Sequence, residues 1–224
     1  MRRLFIGDLT LLPVASLSAR CCKGVMNMAC CQSISLIRHG PPAVSLRQRV
    51  RGHQFRSFVE RYDAAKIARH ARPSRLAQEV MAQADFVLAS NLPRAVHTAE
   101  LLGVPVPSMI DARFREIDFP VDFPRHLKFS ALTWSAIAIA LWRLGYSARS
   151  EPFIQTKQRA CSAADVLEAR CDELMQLPKK ETGAVVLVAH GGINRLIAKE
   201  LRTRGWRGPR LPRSRHWGCT TYCR

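Results

Sequence analysis

The chain has 224 residues, 47% of them hydrophobic, and a formal charge of +18 with a pI near 10.6. That length allows one large domain or two small ones with a proper core, and the apolar content is ordinary for a globular protein. No stretch reaches the roughly 18 uninterrupted apolar residues of a membrane span, so a membrane partner is not expected. The charge attracts anions of any kind, nucleic acid and phosphorylated small molecules included. Seven Arg and no acidic residue stand between Arg202 and Arg224. This run reads as a solvated basic face. A nucleic-acid surface is the less favoured alternative, because no aromatic interleaving or named motif supports it.

Residues 1–31 receive no element and read as an N-terminal extension, either disordered or upstream of a start at Met26 or Met28. Met1-Arg2-Arg3 before an apolar stretch resembles a signal peptide over residues 1–19, and export is the alternative localisation. Asp8 and Pro13 interrupt that stretch. The eight cysteines include the adjacent pairs Cys21-Cys22 and Cys30-Cys31. None has zinc-site spacing, so reduced thiols in a cytoplasmic protein are expected.

Residues 32–224 read as one α/β domain. A first strand at 33–37, placed centrally, runs into Arg38-His39-Gly40. Pro41-Pro42 then forbid an immediate helix, so a basic loop follows. A helix is expected over 54–71, and a second one capped by Ser74 runs to about residue 84. A strand at 86–89 leads to a helix capped by Asn91, with Pro93 in its first turn and an end at Gly103. Residues 106–110 read as a short strand and 113–126 as irregular. A helix over 131–144 is stopped by Gly145. Ala160, Ala163, Ala164, Leu167, Cys171 and Leu174 mark another helix, which ends before Pro178. A strand at 184–189 reaches His190, and Gly191-Gly192 open a helix to Leu201. Residues 220–223 suit a last edge strand. The strand–helix alternation predicts a three-layer α/β sandwich with a mostly parallel central sheet flanked by helices.

Three strands thus end in Arg38-His39, Arg94 and His190. Ligands bind beyond the carboxyl ends of strands in such sheets. Arg makes bidentate, charge-assisted bonds to phosphate. Neutral imidazole can attack phosphorus, a second His can carry developing charge, and a carboxylic acid can protonate a leaving oxygen.

Leu36-Ile37-Arg38-His39-Gly40 resembles the signature of the histidine phosphatase superfamily, the phosphoglycerate-mutase-like proteins. Ser90-Asn91-Leu92-Pro93-Arg94-Ala95 with Thr98-Ala99 is similar to its second motif, and Ala189-His190-Gly191-Gly192 to its third. The resemblance implies a phosphomonoester phosphatase with His39 as nucleophile. It makes Arg38, Arg94 and His190 the phosphate-binding set, and Glu116 the proton donor with Asp118 as competitor. It implies a small-molecule phosphate ester as substrate, no cofactor and no metal. A mutase-type phosphotransferase and a non-catalytic phospho-ligand or nucleic-acid binder on the same fold are the alternatives. Two stretches depart from the family pattern. Pro41-Pro42 replace a Glu-Thr pair, with Ser45 near an Asn position, and Asp118-Phe119-Pro120 replace a glycine-rich continuation.

Overall fold

The fold follows from how each strand divides its side chains between two faces. In a computed structural model, residues 32–178, 180 and 182–224 are described, so the readings for residues 1–31 lie outside the described residues. The elements in chain order are β1 (Gln32–Arg38), β2 (Arg49–Arg51), α1 (Phe55–Ala64), α2 (Arg75–Ala82), β3 (Phe86–Ser90), α3 (Pro93–Leu101) and β4 (Met109–Asp111). They continue with β5 (Lys128–Ser130), α4 (Ala131–Arg143), α5 (Phe153–Met175), β6 (Gly183–Ala189), α6 (Gly191–Thr203) and β7 (Cys219–Cys223).

The main sheet has the order β4-β3-β6-β1-β7. Four strands are parallel and β7 runs antiparallel at the edge. Successive strand residues point to opposite faces. Ile34, Leu36, Val185 and Leu187 therefore pack with Ala160, Ala163, Ala164, Leu167 of α5 and Ile193, Ile197, Leu201 of α6. Ile37, Val186, Val188 and Ala89 face the other way, onto Ala77 and Met81 of α2 and Ala95 and Ala99 of α3. This is the expected three-layer arrangement. The alanines of α5 let that 23-residue helix lie close to the sheet. β6 is apolar on both faces because both are covered, and each fully buried Val or Leu there contributes about 1.5–3 kcal/mol relative to exposure. β6 is the middle strand, and β1 is interior beside it.

A second, two-stranded sheet pairs β2 with β5 antiparallel. Val50, Phe55, Phe58, Ala131 and Trp134 form a separate cluster beneath it, with Phe123 stacked on Trp134 at 4.6 Å. Ser130 caps α4 through Thr133 N–H at 3.1 Å. Ser74 caps α2 through Ala77 N–H at 3.3 Å, as its sequence position suggests.

Three boundaries differ from the sequence reading. The helix expected to reach residue 71 stops at Ala64. Beyond it Ile67 turns into the core, bridges to Pro42 and donates its N–H to His97 Nδ1. The strand expected at 106–110 begins only at Met109, because Pro107 has no N–H for a ladder and Val106 is solvent-exposed. The N-cap of α3 is Leu92, not Asn91, and Pro93 at the first position makes a side-chain cap unnecessary there.

Candidate active site

Strand register brings the three motifs together. Arg38 is level with Ala189 and Ala89 with Val188, so His39, His190 and Ser90 leave adjacent strands side by side. The His39 N–H donates to the Ala189 carbonyl at 2.9 Å. The His39 and His190 rings lie 5.1 Å apart, and both residues are fully buried.

The His39 ring donates from Nδ1 to the Gly40 carbonyl at 2.7 Å, since a carbonyl can only accept. The lone pair is thereby left on Nε2. Burial, followed by the positive charge of Arg94, pushes His39 well below the ordinary imidazole value. The same two causes act on His190. Both rings are thus neutral at pH 7. His190 Nε2 lies 2.8 Å from Ser90 Oγ. That oxygen also accepts from Leu92 N–H at 3.3 Å, which favours the Ser90 proton pointing at Nε2 and a proton on His190 Nδ1.

Gly40 is required by close approach. A Cβ there would stand 2.3 Å from the Trp217 ring. Its N–H donates to Thr98 Oγ1 at 3.0 Å, and Thr98 donates to the Arg94 carbonyl at 2.6 Å. This chain of bonds locks the first motif to the second. Arg94 is buried and donates from Nη1 to Asp63 Oδ1 at 2.9 Å and to the Tyr62 carbonyl at 3.2 Å, with its guanidinium over the Tyr62 ring. Arg38 donates to the Ser214 carbonyl. Among the described residues, five buried side-chain polar atoms have no hydrogen-bond partner. Three of these are Arg38 Nε, Arg94 Nε and His190 Nδ1, all in this site. Buried donors without acceptors are costly, and a bound oxyanion would satisfy them.

Glu116 docks on the N-terminus of α6. Its Oε1 accepts from Ile117 N–H at 3.0 Å and Ile193 N–H at 3.1 Å, and its Oε2 from Gly192 N–H at 3.3 Å. A Cβ at Gly192 would meet that Oε1 at 2.5 Å, so this second glycine makes room for the carboxylate. Asp118 lines the same cavity but is more exposed, and partial burial raises its carboxyl above the usual range. The structure thus brings Arg38, His39, Arg94 and His190 together, with Glu116 beside them on α6. Among the described residues, no three His, Cys, Asp or Glu side chains converge as a metal would need.

Three further contributors were not found by sequence reasoning. His216 donates from Nδ1 to the His39 carbonyl at 3.1 Å, and its ring lies 5.2 Å from that of His39. Asp63 holds Arg94. Arg159 donates to the carbonyls of Arg113, Arg115 and Glu116 while paired with Glu151, and so fixes the Glu116 loop. A signal for His216 exists only in topology. β7 pairs antiparallel with β1, Ile37 opposite Cys219, so the residues just before β7 must lie beside the end of β1. The basic run 202–224 is divided in space. Arg204 and Arg224 pair with Asp165, Glu168 and Asp172, and the loop around Ser214 belongs to the site. Among the described residues, no helix is long and apolar enough to cross a membrane.

Two buried neutral imidazoles at adjoining strand ends stand with two guanidiniums, Arg38 at the end of β1 and Arg94 in the first turn of α3. The family model described as histidine phosphatase superfamily (branch 1) matches residues 34–221, and the chain belongs to that superfamily. No curated protein sequence matches the chain. Solved structures share its fold. The product of open reading frame Rv3214 of Mycobacterium tuberculosis is 17% identical, with a TM-score of 0.51 over 85% of this chain and 90% of that one. A protein described as mycobacterial hydrolase 1 is 23% identical, with a TM-score of 0.51 over 75% and 80%. TTHB049 from Thermus thermophilus is 17% identical, with a TM-score of 0.50 over 84% and 92%.

Proposed function

We propose that this protein is a phosphomonoester phosphatase working through a phosphohistidine on His39. The observation that carries this reading is the set of unpartnered buried donors Arg38 Nε, Arg94 Nε and His190 Nδ1 around a neutral imidazole. Membership of the superfamily supports it. The phosphate of a small-molecule ester docks on Arg38, Arg94 and His190, which offset its charge. The His39 Nε2 lone pair attacks phosphorus in line; the P–N bond forms as the P–O bond to the alcohol breaks. Glu116 supplies the proton to the departing oxygen, most readily from Oε2, which holds only the longer backbone bond. Water, losing its proton to the same carboxylate, then breaks the P–N bond and releases inorganic phosphate. The test is phosphate release from p-nitrophenyl phosphate. Release by the native chain and its loss in a folded His39→Ala variant support the reading, and equal release by both contradicts it.

A further inference from the structure

The phosphate cradle opens into a cavity of about 540 Å³ whose wall is unlike the cradle itself. Leu46, Phe58, Val59, Ile117, Phe119 and Ile139 line it. A second cavity of about 320 Å³ shares Ile117, Ile139, Gly192 and Arg195 with the first and adds Trp142, Phe153 and Leu196. The two form one cleft that starts at the cradle and runs along α4. Tyr62 and Asp63 stand at the cradle end against Arg94, and Asp118 is exposed. In the part along α4 the one neutral polar side chain, Trp142, already donates to the Glu151 carbonyl at 2.7 Å. The Ser135 hydroxyl is already committed to the Ala131 carbonyl at 2.8 Å, and the Ser214 carbonyl to Arg38. The charged Arg115, Arg143 and Arg195 are exposed at the rim.

We propose that the substrate is a phosphomonoester of a bulky, extended apolar alcohol, a long alkyl or polycyclic aryl group, lying in this cleft. The inference rests on the phosphatase reading above and names its substrate class. A sugar or nucleoside reaching along α4 would bring several hydroxyls or amides against Ile117, Ile139, Trp142, Phe153 and Leu196, which have no free partner to offer, and each buried unpaired group costs roughly tenfold in affinity. An apolar chain leaves nothing unpaired there, and cavities of this size enclose most of a drug-sized ligand. The departure Asp118-Phe119-Pro120 fits this use, since Phe119 stands on the wall where a glycine would leave it open.

The test compares kcat/KM for ethyl, butyl, hexyl and octyl phosphate, phenyl and 2-naphthyl phosphate, glycerol phosphate and glucose 6-phosphate. An apolar cleft predicts a rise of roughly threefold to fourfold per methylene until the cleft is filled. It also predicts 2-naphthyl above phenyl phosphate, and both polar esters at the bottom. Leu132→Glu, at an exposed wall position of α4, tests the location, with folding checked by thermal melting. It should lower the octyl-to-ethyl ratio by at least tenfold. A flat alkyl series, or polar esters preferred by an active enzyme, overturns the substrate class and leaves the phosphatase reading standing. Phosphate release from none of the esters overturns both.

Discussion

The imidazole of His216 donates from Nδ1 to the carbonyl oxygen of His39, 3.1 Å away, and its ring stands 5.2 Å from the His39 ring. The turn that carries it is tied down at several points. Trp217 N–H donates to the Arg38 carbonyl at 3.1 Å, and Arg38 N–H to the Gly218 carbonyl at 2.9 Å. Burial, and then the Arg38 charge, lowers the His216 pKa. His216 thus positions the backbone of the proposed nucleophile. His216→Ala should lower kcat about fivefold, the worth of one typical hydrogen bond, with little change in KM. His216→Asn, which can donate to the same carbonyl, should recover most of it. An unchanged kcat in the alanine variant would remove His216 from the site.

Arg94 is placed to form a fork, and its Nε is buried and unpartnered. Lys keeps the charge but loses the planar pair of donors. Arg94→Lys should therefore lower kcat/KM about 100-fold or more in a chain that still folds. Steady-state kinetics beside circular dichroism checks this.

Glu116 and Asp118 are separable by leaving group. A good leaving group needs no proton and a poor one does. Glu116→Gln should slow an alkyl phosphate about 100-fold or more while slowing p-nitrophenyl phosphate far less. Asp118→Asn should leave that ratio unchanged. The opposite pattern would transfer the proton-donor role to Asp118.

His39 and His190 bind protons more weakly folded than unfolded, because burial and Arg94 oppose their charge. Below the ordinary imidazole value of 6.5 the unfolded chain takes up protons that the folded one does not. Stability therefore falls as pH falls, by up to about 2.7 kcal/mol per pH unit for the pair, and is fully present above that value. Melting curves from pH 7.5 to 5 should show this decline, and inorganic phosphate should oppose it by binding the folded state. A melting temperature independent of pH in this window would contradict the buried, neutral assignment.

Arg159 and Glu151 are both largely buried, and Arg159 gathers three carbonyls of the Glu116 loop. Arg159→Ala removes the side chain that gathers those carbonyls and leaves the Glu151 carboxylate, without its ion-pair partner, to Thr156. It should cost about 3 kcal/mol of stability by denaturant titration, and should also reduce turnover of poor leaving groups as Glu116 loses its seat.

The legible parts of this chain are those where one local pattern decides the outcome. Val185–Ala189 is apolar on both faces and can only be an interior strand, and the three motifs at strand ends announce themselves. β2 and β5 were not legible, because three residues are too few to display an alternation. Their pairing is set by the Val50–Trp134 cluster, which joins distant stretches. The candidate site was legible as residue types, but its support was not. His216 lies 177 positions from His39 in sequence, and Arg159 43 from Glu116. Only the folded chain connects them.

The most direct test of covalent catalysis by His39 is rapid-quench mass spectrometry of the protein mixed with a phosphomonoester. The expected result is a phosphoryl group on His39, formed before inorganic phosphate appears and absent in His39→Ala. Phosphate release with no adduct on His39, or an adduct on another residue, would contradict it.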